Sequence, residues 1–125
     1  QRAQVRAISN TIACDIHPLN NLRVLQYLKG ELALSEEAVT QWYHHWLQLA
    51  FDALEQQIEQ GAYTVGESVS MADVYLVPQV FNALRFNMPM SPYPTIMAVY
   101  KRCNEMQAFI KAHPDTQVDN PAAQS

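Results

Sequence analysis

The sequence predicts an all-helical domain, a bundle of about five helices, on three observations. Apolar residues recur at spacings of three and four, beginning with Val5, Ile8, Ile12, Ile16 and Leu19. Helix-start chemistry stands where such runs begin: Ser35 before Glu36 and Glu37, and Ser70 with Asp73 three residues on. No stretch alternates apolar and polar residues convincingly in the manner of a strand.

Each element can be justified in turn. The first helix is expected from about Arg2 to Leu28, bent near His17 by Pro18, which lacks a backbone donor, and closed by Lys29-Gly30. Ser35 caps the second, whose first turn carries Glu36 and Glu37 to complement the helix dipole. Its apolar stripe is Val39, Trp42, Tyr43, Trp46, Ala50, Ala53, Leu54 and Ile58, and Gly61 ends it. The third helix, Met71 to about Arg85, opens with a capping box: Ser70 as N-cap, the Asp73 carboxylate reaching back, and Val69 and Val74 as a hydrophobic staple. Its residues are apolar on nearly all sides, which predicts burial in the middle of the bundle and a kink at Pro78. Pro94 fits the first turn of a fourth helix, with a break expected near Asn104. Pro114 stops that segment, and Val118 to Ser125 reads as a polar tail.

At 125 residues, 49% of them apolar, the chain is one globular domain over 1–125. The net charge of −4 argues against nucleic acid and anionic membrane as partners. No apolar run has the length of a membrane span. Cys14 and Cys103 are too few for a disulfide scaffold and read as reduced thiols of a cytoplasmic protein. The chain starts without Met, already inside an amphipathic pattern, so a fragment whose preceding domain is missing is expected.

Few residues stand out for chemistry. Glycine-rich phosphate loops, Cys-x-x-Cys and His-Glu-x-x-His are absent. His44 and His45 are adjacent, so on a helix they diverge by about 100° and suit no shared metal; no metal site is expected. Cys103 falls on an apolar stripe and reads as core. Two stretches remain. His17 and Asn21 share a face in a polar cluster around Pro18, but Arg23 points about 200° from Asn21 on a regular helix. One site holding all three needs a distortion at Pro18 or a second subunit. Alternatively, Asn20 and Asn21 satisfy carbonyls freed by the proline. Arg85 lies within about 40° of the meridian of Val74 and Phe81, so it is either a cation on a helix C-terminus or an anion-binding guanidinium at an apolar pocket.

The stretches Asp15-Ile-His-Pro-Leu-Asn-Asn-Leu-Arg-Val-Leu25, Ser70-Met-Ala-Asp73, Leu76-Val-Pro-Gln-Val80, Asn82-Ala-Leu-Arg-Phe86 and Ser91-Pro-Tyr-Pro-Thr-Ile96 resemble the helical C-terminal domain of zeta-class glutathione transferases. That class includes maleylacetoacetate and maleylpyruvate isomerases. The resemblance implies a glutathione transferase C-terminal-type bundle and an N-terminal thioredoxin-like domain absent from this chain. It implies a homodimer catalysing glutathione-dependent cis–trans isomerisation of a small keto acid, with the nucleophilic thiol supplied by the cofactor. His17, Asn21, Leu22 and Arg23 would line the glutathione site, and Arg85 would hold a substrate carboxylate. No catalytic residue is expected within this domain. The alternatives are a non-catalytic helical module of the same type used for protein interaction and, more weakly, a bundle binding a small apolar ligand.

Overall fold

The computed structural model describes residues 1–59 and 61–120. Among them every regular element is helical: α1 Arg2–Asn10, a π-helical stretch Thr11–Ile16, α2 His17–Asn20, α3 Leu22–Lys29, α4 Glu36–Gln57, α5 Met71–Arg85, α6 Pro94–Asn104, α7 Gln107–Ala112 and a 3-10 turn Pro114–Thr116. The part of the expected tail from 121 onward lies outside the described residues.

The long first helix is the main departure from the sequence reading. Pro18 does not itself break the chain; it sits in the first turn of α2, where a missing N–H is harmless. The wide turn lies just upstream, over Thr11–Ile16, and the break comes at Asn21, whose ψ of 161° is extended. Asn21 then caps α3 by accepting the Val24 N–H at 3.2 Å, while its Nδ2 donates to the Pro18 carbonyl at 3.1 Å. Ile8, Ile12 and Ile16 nevertheless remain on one buried line.

α4 begins as expected, Ser35 Oγ accepting the Ala38 N–H at 3.2 Å, but it ends at Gln57. Its buried stripe is Val39, Tyr43, Leu47, Ala50, Phe51 and Leu54. Ala53 is exposed and Trp42 and Trp46 are half-buried, while Leu47 and Phe51 are fully covered, so the core meridian lies to one side of the predicted one. α4 also starts α6. Glu55 accepts the Thr95 and Ile96 N–H groups at 2.7 and 2.9 Å, and Asp52 accepts the Tyr93 hydroxyl at 2.8 Å. A carboxylate from a neighbouring helix thus satisfies donors that Tyr93, as N-cap, leaves open.

α5 packs between α1 and α6. The capping box is formed: the Ser70 N–H donates to Asp73 Oδ2 at 2.8 Å and Ser70 Oγ accepts the Ala72 N–H at 3.2 Å. Asp73 is fully buried, and its Oδ1 also accepts the Thr64 N–H at 2.9 Å, tying the preceding loop to the helix. Burial on all sides is corrected. Ala72, Leu76, Val80 and Ala83 are inaccessible, yet Met71, Val74, Tyr75 and Pro78 form an exposed stripe. An apolar composition marks a surface that favours cover, without fixing which part of the domain provides it. The break after Asn104 is present, and Cys103 is buried as expected.

Candidate functional site

The C-terminal half of α5 meets α2, α3 and α4 around a pocket of about 630 Å³. His17, Asn21, Leu22, Arg23 and Arg85 all line it, so the two stretches singled out in the sequence converge on one concavity. The convergence depends on Asn21. Its extended backbone restarts the helix in a new direction, and Arg23 reaches the same pocket as His17 although a continuous helix would turn them apart.

The convergent residues differ in how committed they are. His17, Leu22 and Arg23 are exposed, and Leu22 retains 70% of its surface. Asn21 is half-buried and already engages the Val24 N–H and the Pro18 carbonyl; the carbonyl that a proline deprives of its donor lies four residues upstream, so this bond does not repair the proline. The second hydrogen of its amide and the second lone pair of its oxygen still allow a ligand contact. Asn20 instead donates to the Tyr43 carbonyl at 3.0 Å.

Arg85 stands on a ridge. On one side is the 630 Å³ pocket; on the other, a concavity of about 390 Å³ shared with Val74 and Phe81 and walled by His113. Its guanidinium carbon is 5.9 Å from the Phe81 ring centroid, a cation–π distance, and His113 meets the same ring edge-on at 5.2 Å. No carboxylate among the described residues pairs with Arg85. A guanidinium resting on an aromatic face, with its donors uncommitted, is suited to receive a carboxylate in bidentate fashion.

The pocket floor was not legible beforehand. Tyr43 lies there, stacked on Phe86 with ring centroids 3.9 Å apart and 9° between planes, and beside it is Gln79. Burial pushes the Tyr43 phenol up, opposed by the adjacent Gln79 amide and the Arg85 guanidinium. Its spacing puts Tyr43 on the apolar stripe, and nothing in that pattern tells a core tyrosine from one at the base of a pocket. His44, by contrast, is fastened through Nε2 to the Phe86 carbonyl at 2.7 Å, and His45 packs against Trp46. Cys14 is exposed and lines none of these concavities. A larger groove of about 860 Å³ along α6 and α7 contains none of the predicted residues.

The family described as glutathione S-transferase, C-terminal domain, matches residues 47–105. A probable maleylacetoacetate isomerase of Vibrio cholerae is 46% identical over 121 residues, covering 95% of this chain and 56% of that protein. A holo structure of maleylpyruvate isomerase, described as a bacterial glutathione S-transferase of the zeta class, superposes with a TM-score of 0.91 at 42% identity, over 94% of this chain and 57% of the other. A maleylacetoacetate isomerase from Anaeromyxobacter dehalogenans with glutathione in its active site gives a TM-score of 0.89 at 34% identity, over 96% and 55%. The chain therefore spans a little over half the length of these relatives. In sequence and in fold alike, the chain is similar to the C-terminal helical part of zeta-class glutathione transferases.

Proposed function

We infer that this domain is the C-terminal half of a glutathione-dependent cis–trans isomerase acting on maleylacetoacetate or maleylpyruvate. The observation that carries the reading is the single pocket uniting His17, Asn21, Leu22 and Arg23 with Arg85. An N-terminal thioredoxin-like domain completes the site, and the whole works as a cytoplasmic homodimer in the breakdown of aromatic amino acids or related aromatic acids. The names of the relatives and the glutathione held by one of them support the assignment. No helix among the described residues is long and apolar enough to cross a membrane.

The pocket fits the cofactor and the acid chemically. Two arginines face a space whose other contributors are mostly neutral, so carboxylates are balanced there while amide groups find donors and acceptors. Glutathione, when bound, supplies the thiol that adds to the cis double bond and later leaves it. Arg23, with His17 and Asn21, holds the peptide from the α2–α3 side. Arg85 holds a substrate carboxylate on the α5 side, fixing one end of the acid while the other end turns about the former double bond. Holding both partners in one concavity lowers the entropic cost of their encounter. Activation of the thiol is assigned to the N-terminal thioredoxin-like domain.

The test compares the full-length protein with the isolated domain, assaying loss of the cis keto acid with saturating glutathione. The full-length protein should turn over and lose all activity without glutathione, and the isolated domain should be silent. Comparable turnover by the domain alone would sink the two-domain reading.

A further inference from the structure

Among the described residues three polar side chains are buried: Thr64, Asp73 and Gln79. The first two belong to the clamp at the start of α5, where Asp73 accepts the Thr64 N–H. Gln79 serves no cap, turn or ion pair. It stands in the middle of α5 with 5% of its surface exposed, at a position where an apolar side chain would pack without desolvating an amide. Its amide adjoins the hydroxyl of Tyr43, itself 2% exposed, and both line the 630 Å³ pocket. Tyr43 is held rigidly by Phe86 against its ring and by Asn20 on its carbonyl.

Counting hydrogens shows what this pair has left over. Tyr43 carries one O–H and Gln79 two N–H groups, and one contact between them uses a single hydrogen. Donors therefore remain for the cavity. A second sign comes from Asn20, whose Oδ1 is buried without a hydrogen-bond partner and which lines the same pocket. Its Nδ2 is committed to the Tyr43 carbonyl, so that oxygen cannot be exchanged for a nitrogen by flipping the amide. A buried polar atom left open on the wall of a cavity marks a place that can meet a polar ligand. The charges lie elsewhere: Arg23 is exposed, as is Arg85, while the pair at the floor is neutral.

We propose that Tyr43 and Gln79 form a specificity-determining floor that takes an uncharged keto or enol oxygen of the substrate while Arg85 holds its carboxylate. This rests on the reading of the pocket as a keto-acid site. A neutral donor pair suits a carbonyl oxygen, whereas a second arginine at the floor would favour a second carboxylate. The floor thus distinguishes a keto acid from a plain dicarboxylate of similar length, and a site built to bond an oxygen rejects analogues that lack it.

Competitive inhibition of the full-length enzyme tests this with two probes: 2,4-dioxopentanoate, a diketo monocarboxylate, and succinate, a dicarboxylate without a keto group. Gln79→Met and Tyr43→Phe should each raise the Ki of the diketo acid about 3- to 10-fold and leave that of succinate within about twofold, as for loss of one neutral hydrogen bond. Gln79→Met should also keep or raise the melting temperature, because a near-isosteric apolar side chain replaces a buried amide. Equal shifts for both probes, or none, in a parent enzyme that isomerises the cis keto acid would overturn the floor. So would a lowered melting temperature with no discrimination between probes, which would make Gln79 a structural amide. A parent inactive on every cis keto acid overturns the isomerase reading instead. Calorimetric binding of 2,4-dioxopentanoate to parent and Gln79→Met then decides the floor separately, equal affinities counting against it.

Discussion

At the N-terminal end of α5 polar groups face one another: Asp73 accepts from Ser70 N–H, Ser70 Oγ and Thr64 N–H, at 2.8, 3.0 and 2.9 Å. In the C-terminal half Gln79, Asn82 and Arg85 face concavities, and Asn82 lines three of them. One helix therefore carries two kinds of polarity within four turns. The first is bonded largely within itself, the buried Thr64 Oγ1 being the exception, and fixes where the helix starts and how the loop before it lies. The second is left open and has value only when something else arrives. Stability and binding should consequently respond to opposite ends of the same element.

The largest expected effect is at the closed end. Asp73→Ala strands the fully buried Thr64 N–H and the half-buried Ser70 N–H and should cost on the order of 3 kcal/mol in a urea titration, since each unsatisfied buried donor costs about 1–3 kcal/mol. Ser70→Ala should cost about 1 kcal/mol, and the double mutant less than the sum because the two side chains bond each other. Strict additivity would show the two ends to be less different than the geometry indicates.

Next comes the open end. Arg85→Ala in the full-length enzyme should lower kcat/KM about 10- to 100-fold, as expected from a charge-assisted pair of about 1.5–3 kcal/mol, with the melting temperature nearly unchanged. Arg85→Lys should recover part of that, because an ammonium lacks the planar fork. A fall in melting temperature with intact kinetics would make Arg85 a helix-end cation and erase the comparison.

The smallest effect is alkaline. Burial, with Asp73 adding to it, pushes the Cys103 thiol from about 9 to about 11, and burial together with Asp52 pushes Tyr93 up to about 12. Both groups hold their protons more tightly when folded, so their contribution is complete below the unfolded pKa values, near 9 and 10, and is lost as pH rises toward 11 and 12. Urea midpoints should be level up to about pH 8.5 and then fall, with the early part of that fall missing in Cys103→Ala. A fall beginning well below pH 8.5 would need a different group.

How much of this could be read from the sequence divides along the same line. The bounds of α5, the capping box and Pro94 at the start of α6 follow from local chemistry, and local chemistry is what a sequence displays. Glu55 capping α6 from a distance of 40 residues carries no local signal. Neither does the lateral shift of the α4 core toward Leu47 and Phe51, which depends on how neighbouring helices cross it. Arg85 is legible because a charge continues an apolar meridian. Gln79 is not legible, because one amide in an apolar run carries no local sign of what surrounds it.

The six residues Thr11–Ile16 give the first helix a property that no side chain confers. A π-turn accommodates an extra residue, and in a helix each residue is worth about 100° of rotation. The stretch is thus a phase adjuster, setting the angular offset between the line of Ile8 against α5 and the bearing of His17 on the pocket. Removing one residue here, the exposed Cys14, would keep Ile8, Ile12, Ile16 and His17 in the chain and still put the two halves out of step. Either Ile8 would rotate off its packing or His17 would rotate out of the site. Chain length at this point is itself a functional variable, and a one-residue deletion would act there as a twist.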